Sequence, residues 1–131
     1  MDVRQTGAGP LQSQPGITPL LTGGKLDRRT SSLIGPLATR AIRDFRLRRL
    51  FVSAAGLDPL HGTTEVTLEE AEVKLAMAEA AAEIVIAVDS TKLGQSGSAR
   101  CFATDRMAVL VTDLDPDDCR LDPYRRICRL I

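Results

Sequence analysis

The chain has 131 residues, of which 44% are hydrophobic and 26% are charged, and its 17 lysines and arginines balance 17 aspartates and glutamates. This length suits one domain and is too short for a DNA-binding domain together with a complete sensor domain. The neutral balance gives no argument for nucleic acid as a partner, and no apolar run approaches the roughly eighteen residues needed to span a bilayer.

Three cysteines, Cys101, Cys119 and Cys128, have no CxxC spacing, and their odd number leaves one unpaired in any disulfide scheme. They indicate reduced thiols, and the N-terminus has no hydrophobic signal core, so we expect a cytoplasmic protein. His61 is the only histidine. A zinc site is therefore not expected, and neither a metal nor a cofactor is predicted.

The chain begins with a polar segment that has no helical or strand periodicity. Its glycine, glutamine, proline and serine residues predict a disordered tail over residues 1–16, followed by one domain over residues 17–131. Leu20 and Leu21, which two glycines follow, predict a short strand at the start of this domain.

An amphipathic helix is predicted next, ending near Phe45. Ser31 or Ser32 is a candidate N-cap, and Pro36 is an alternative first helical residue. Arginines and one lysine dominate residues 25–49. This basic segment is either a solvated or subunit-facing surface or a nucleic-acid patch, and the absence of interleaved aromatic residues favours the surface.

Residues 50–54 and 84–88 read as buried strands, the second a continuous apolar run rich in β-branched residues and typical of a parallel sheet. Between them, Thr67 and Glu70 form a T-x-x-E capping box at the start of a helix. Within that helix, Glu70 and Lys74 are spaced for an i,i+4 ion pair.

Three further strands are predicted near residues 100–102, 108–111 and 127–131. Strands that alternate with helices in this order predict an α/β fold, a mostly parallel sheet flanked by helices and linked by right-handed crossovers.

Polar residues follow two of the predicted strands, over residues 56–65 and 89–97. Ligands bind at the carboxyl ends of strands in open α/β sheets, so these loops are candidate binding elements. Gly62, Thr63 and Thr64 offer backbone N–H groups and hydroxyls that suit phosphate or sugar. The alternative is that they form only a turn before the capped helix.

Three charged residues extend this interpretation. Lys92 offers a mobile positive charge for phosphate or carboxylate, and Asp58 and Asp89 can accept hydrogen bonds from sugar hydroxyls. Alternatively, Asp89 only caps the next turn and Lys92 is only solvated. His61 is either a proton donor or an exposed turn residue. No serine, cysteine or lysine comes with an evident base and orienting partner, so no catalytic residue is predicted.

The order of several motifs is more specific than any of them alone. They are Leu21-Thr22-Gly23-Gly24, Ser32-Leu33-Ile34-Gly35-Pro36-Leu37-Ala38, Gly56-Leu57-Asp58-Pro59, His61-Gly62-Thr63-Thr64, Glu69-Glu70-Ala71-Glu72-Val73-Lys74, Asp89-Ser90-Thr91-Lys92-Leu93-Gly94 and Leu110-Val111-Thr112-Asp113. Together they resemble the C-terminal effector-sensing domain of the DeoR family, which are bacterial transcriptional regulators and repressors of sugar metabolism.

The resemblance implies a fold similar to ribose-5-phosphate isomerase and the CoA transferases, a phosphorylated sugar or related metabolite as effector, and a homo-oligomer. It also implies a non-enzymatic role. Carried over by position, the ligand-facing residues are Asp58, Gly62, Thr63, Asp89 and Lys92.

The chain departs from the family pattern at its N-terminal end. Regulators of this type begin with a helix-turn-helix domain, and their sensor domain opens with a strand and a Gly-Thr-Thr phosphate loop. Neither fits in the nineteen residues before Leu20, so we expect an N-terminally truncated and incomplete sensor fold that would contact DNA only through a helix-turn-helix domain absent here. A smaller departure is Ala55, where relatives carry an acidic residue.

Two other functions stay open at this point. The first is an isomerase-like or CoA-transferase-like enzyme on the same fold, which would need an acid or base facing the loop of Lys92. The second is a non-catalytic interaction fragment, in which an open sheet edge pairs with a partner chain.

Overall fold

A four-stranded parallel sheet is the centre of the computed structural model, which describes residues 9–131. The helices are α1 (Gly9–Gln12), α2 (Pro36–Arg43), α3 (Leu68–Ala80) and α4 (Asp122–Arg125). The strands are β1 (Lys25–Asp27), β2 (Ser32–Ile34), β3 (Leu47–Val52), β4 (Gly56–Asp58), β5 (Gly62–Glu65), β6 (Ala81–Ala87), β7 (Ala99–Arg100), β8 (Val109–Val111) and β9 (Arg129–Leu130).

The strand order in the central sheet is β3-β6-β8-β9, and every neighbouring pair is parallel. This confirms the predicted α/β fold. β6 lies inside the sheet. Its consecutive apolar residues Ile84, Val85 and Ile86 are all buried, as expected for a strand that is covered on both faces. The main core also includes Leu110 and Leu57, both fully buried.

The helices α2 and α3 pack against each other around a second, smaller core. The predicted N-cap Thr67 is confirmed, since the Glu70 backbone N–H donates to Thr67 Oγ1 at 3.2 Å, while the Glu70 carboxylate accepts the Thr67 hydroxyl and not the Thr67 backbone N–H. Pro36 is the first residue of α2, as one alternative predicted. The serine caps were wrong, because Ser32 begins strand β2 and Gly35 occupies the N-cap position.

A β-hairpin replaces the first predicted polar loop. β4 pairs antiparallel with β5, and β5 pairs with β7, in a separate three-stranded sheet. Gly62 allows this hairpin because its φ of 85° lies in the left-handed region that glycine adopts readily. The sequence prediction missed these strands because they are short and are rich in glycine, threonine and charged residues.

The strand predicted at Leu20 and Leu21 was also wrong: this segment is irregular, and the two side chains are 72% and 60% exposed. A strand needs a hydrogen-bonding neighbour, and this segment has none among the described residues. β3 starts at Leu47, earlier than predicted, and β6 is the only strand among residues 9–131 that pairs with it.

The predicted disordered tail stays a prediction over residues 1–8, which lie outside the described residues. Of the rest of that segment, Gly9–Gln12 forms a single helical turn. No helix within residues 9–131 is long and apolar enough to cross a membrane.

Candidate functional site

The loop that carries Lys92 is fixed to the end of the neighbouring strand β8. Asp113, just beyond β8, accepts hydrogen bonds from the Ser90 backbone N–H at 2.6 Å and from Ser90 Oγ at 3.3 Å. The Ser90 N–H stabilises the carboxylate and lowers the pKa of Asp113. The carboxyl ends of β6 and β8 are therefore tied together by one side chain.

Asp89 is the N-cap of the short 3₁₀ turn Ser90–Lys92. Its carboxylate accepts hydrogen bonds from the Thr91 hydroxyl and from the Thr91 backbone N–H, the latter at 2.9 Å. These two bonds, the hydroxyl first, lower the pKa of Asp89, so the group stays ionised at neutral pH. The capping alternative is thus observed, and the carboxylate remains exposed.

Asp58 has a similar local role at the tip of the β4–β5 hairpin. Its Oδ1 accepts the backbone N–H groups of Leu60 and His61, each at 2.8 Å. The His61 N–H contributes most, and the two bonds lower the pKa of Asp58. His61 itself is an exposed turn residue.

Two of the hairpin residues predicted to face the ligand, Gly62 and Thr63, are buried, as is the neighbouring Thr64. Thr63 donates its backbone N–H and its hydroxyl to the Phe102 carbonyl, at 2.9 and 3.2 Å. Thr64 Oγ1 accepts the Gly97 N–H at 2.6 Å. At Gly62, an added Cβ would lie 2.3 Å from the Phe102 carbonyl oxygen, so this glycine is needed for close packing.

Tyr124 joins the hairpin to the Lys92 loop. Its hydroxyl donates to the Leu57 carbonyl at 2.7 Å and accepts the Gly94 N–H at 3.1 Å, while Gly94 N–H also donates to Leu57 at 2.8 Å. This role of Tyr124 was not predicted from the sequence. Tyr124 is the sole tyrosine of the chain, but it lies far from either loop in sequence and no local pattern marks it.

These contacts bring the backbone segments of the predicted site together. Within residues 9–131, no hydrogen bond or ion pair joins the side chains of Asp58, Asp89 and Lys92 to one another. Their assignment as ligand-facing residues, like that of Gly62 and Thr63, stays a prediction.

A cavity of about 280 Å³ lies at the carboxyl end of β3, where the sequence analysis placed no site. Glu70 and Lys74 line it from α3, and Val52 lines it from the end of β3. None of the five predicted ligand-facing residues lines this cavity. It occupies the edge of a parallel sheet at which ligands bind in open α/β folds.

Lys74 makes a buried ion pair beside this cavity. Its Nζ donates to Glu65 Oε1 and to the Ser53 carbonyl, each at 2.8 Å. The predicted pair with Glu70 was wrong, because the ammonium group reaches across to the hairpin instead. Glu65 is 3% exposed, and this burial raises its pKa although Lys74 opposes the change.

No group of three or more histidine, cysteine, aspartate or glutamate side chains that could hold a metal ion occurs in the part of the chain that the structure describes.

Comparison with known proteins shows which family this chain is similar to. The model of the DeoR C-terminal sensor domain matches residues 6–114. The HTH-type transcriptional regulator GlpR of Haloferax volcanii is 35% identical over 74% of this chain and 39% of its own length. The putative aga operon transcriptional repressor of Escherichia coli O157:H7 is 27% identical over 81% of this chain and 39% of its own.

The HTH-type transcriptional regulator IolR of Bacillus subtilis is 29% identical over 76% of this chain and 39% of its own length. The chain thus spans about two fifths of the length of these relatives. All three are transcriptional regulators or repressors by name. The match over most of its length shows that the chain belongs to the DeoR family, as a C-terminal sensor domain.

Proposed function

We propose that this chain is the effector-sensing portion of a DeoR-type transcriptional regulator of sugar metabolism, and that its effector is a phosphorylated sugar or a related metabolite. One observation carries the proposal. Two loops, the hairpin of Asp58 and the turn of Lys92, are fixed to each other by Tyr124 at the carboxyl edge of a parallel sheet.

The side chains on these loops have the chemistry that a sugar phosphate requires. Lys92 supplies a positive charge on a flexible stem, suited to a phosphate group. Backbone and hydroxyl donors lower the pKa values of Asp58 and Asp89, and their carboxylates can accept hydrogen bonds from sugar hydroxyls. Gly62 and Thr63 are buried and the Thr63 backbone already bonds to Cys101 and Phe102, so in this proposal they would position the hairpin that carries Asp58.

The regulatory step follows from binding linkage. An effector that binds one conformation of the regulator more tightly shifts the population toward it, by as much as its two affinities differ. In this proposal DNA is bound by a helix-turn-helix domain outside this chain, and the sensor portions associate as a homo-oligomer.

Thermal unfolding with a panel of three-carbon to six-carbon sugar phosphates tests the proposal. A compound present at one hundred times its Kd should stabilise the protein by about 2.7 kcal/mol. Lys92→Ala should abolish this effect. Lys25→Ala is the matched control, because Lys25 is an exposed lysine whose ion pair is with Glu69 and not with the hairpin or the Lys92 loop.

The proposal fails when no sugar phosphate raises the melting temperature of the unaltered chain. Equal stabilisation of the Lys92→Ala and Lys25→Ala variants would instead remove Lys92 from the site.

A further inference from the structure

The cavity at the carboxyl end of β3 has mainly aliphatic walls. Its volume of about 280 Å³ approaches the lower end of the range of ligand pockets, roughly 300 Å³. The apolar wall consists of Leu20, Leu21, Leu33, Ile34, Val52, Val73 and Met77. Such a wall suits the C–H face of a small organic molecule, and a bare inorganic ion would gain little from it.

Glu70 is the buried acceptor in this wall. Its side chain lines the cavity, and the residue is only 6% exposed. One carboxylate oxygen, Oε2, accepts the Thr67 hydroxyl at 3.4 Å, and the described residues supply no hydrogen-bond donor to Oε1. A buried carboxylate oxygen without a donor is costly, so a ligand that supplies O–H or N–H groups would complete its hydrogen bonding.

Lys74 is a donor in the same cavity. An ammonium group has three N–H donors, and in the described structure Glu65 and Ser53 accept two of them. The remaining N–H is available to a ligand oxygen. Ser31, Ser32 and Thr22 also line the cavity. The Thr22 hydroxyl donates to the Gly23 carbonyl and the Ser32 hydroxyl to the Thr30 carbonyl, so both oxygens keep capacity to accept a hydrogen bond from a ligand.

The charges exclude a phosphate group here. Two buried carboxylates, Glu65 and Glu70, surround one ammonium, Lys74, so the local charge is negative. A phosphate dianion would be repelled, whereas hydroxyl groups would donate to the carboxylate and accept from the ammonium.

We infer that this cavity binds the hydroxylated carbon skeleton of the effector, with Glu70 accepting from its hydroxyls and Lys74 donating to them. The inference rests on the proposed function and assigns the phosphate group to a different place, the Lys92 loop. β3 and β6 are adjacent parallel strands about 4.8 Å apart, and the cavity and that loop each follow the carboxyl end of one of them.

Methionine methyl groups give a direct test. Met77 lines the cavity, whereas Met107 is buried in the main core and does not line it. In protein labelled with ¹³C at the methionine methyl groups, saturation with a stabilising sugar phosphate should shift the Met77 resonance and leave that of Met107 in place. Inorganic phosphate alone should leave both unchanged.

Two variants test whether residues that line the cavity contribute to binding. Glu70→Gln keeps the side-chain shape and the Thr67 contact but removes the charge, and it should weaken sugar phosphate binding about tenfold. Thr22→Trp places a large ring at the half-buried rim of the cavity and should abolish the Met77 shift. Ile131→Trp, at a 63% exposed position outside the cavity, is the matched control.

The outcomes separate this inference from the proposed function. A sugar phosphate that stabilises the protein without shifting Met77 overturns the inference and leaves the proposed function standing. Unchanged affinity in both Glu70→Gln and Thr22→Trp also overturns it. Failure of every sugar phosphate to stabilise the protein overturns the proposed function, and the inference with it. Variants whose unliganded melting temperature matches that of the parent chain give the decisive comparison.

Discussion

Replacing Lys74 should show how much the Glu65–Lys74 ion pair contributes to the free energy of unfolding. The Glu65 side chain is 4% exposed and that of Lys74 is 19% exposed, with 2.8 Å between Nζ and Oε1. Lys74→Met keeps the aliphatic stem but leaves a buried carboxylate without its partner and the Ser53 carbonyl without its donor. Breaking such a pair costs about 3–5 kcal/mol, so we expect a loss of that size at pH 7.

The loss should depend on pH in a defined direction. Burial raises the pKa of Glu65 above its ordinary value of 4.5, so between these two pKa values the folded state binds more protons than the unfolded state. Stability therefore falls as pH rises through this interval. Without the Lys74 ammonium the pKa of Glu65 rises further and the interval widens. The variant should consequently lose less stability at pH 5 than at pH 7.

Urea unfolding at the two pH values measures both effects. The double variant, Glu65→Gln with Lys74→Met, is the control, because it removes the buried charge and should recover most of the lost stability. The reasoning is refuted by a loss below about 1 kcal/mol at pH 7, the value typical of an exposed pair. It is equally refuted by a double variant as unstable as Lys74→Met alone.

Three further predictions concern residues in or next to the β4–β5 hairpin and the Lys92 loop. Tyr124→Phe removes the hydroxyl that joins the hairpin to the Lys92 loop and should cost about 1–2 kcal/mol in urea unfolding, and an unchanged midpoint would contradict this. Gly62→Ala should destabilise more than Gly94→Ala, because both have positive φ but only the first would place a Cβ against a carbonyl oxygen. Cys101 should react with iodoacetamide more slowly than the exposed Cys119, since burial raises its thiol pKa to about 11, and equal rates by peptide mass spectrometry would refute this.

The central sheet could be predicted from sequence because its strands have strong local signals. The run over residues 84–88 is long, apolar and rich in β-branched residues, and the T-x-x-E motif at Thr67 marks where the preceding helix begins. The hairpin of Gly62 had no such signal. Its strands are three and four residues long, and they form because partners distant in sequence complete their hydrogen bonds.

The residues of the site also differ in this respect: some have a partner close by in sequence, and others have partners that only the fold brings near. Asp89 could be recognised as a turn cap because its partner, Thr91, lies two positions away. Lys74 could not be assigned correctly, since helical spacing favours Glu70 and only the fold brings Glu65 within reach. Tyr124 bonds to Gly94 and Leu57, which are 30 and 67 residues away, so no local pattern contains that role.

The charges on this edge of the sheet would let the sensor discriminate against both inorganic phosphate and unphosphorylated sugar. Beside Glu70 the local charge is negative, which disfavours small anions, while Lys92 offers a positive charge to a phosphate group. Inorganic phosphate lacks the hydroxylated carbon skeleton that we assign to the cavity, and an unphosphorylated sugar lacks the negative charge that would attract Lys92. Only a molecule with both parts would bind at full strength, so the sensor would respond to the product of sugar phosphorylation and ignore its separate components.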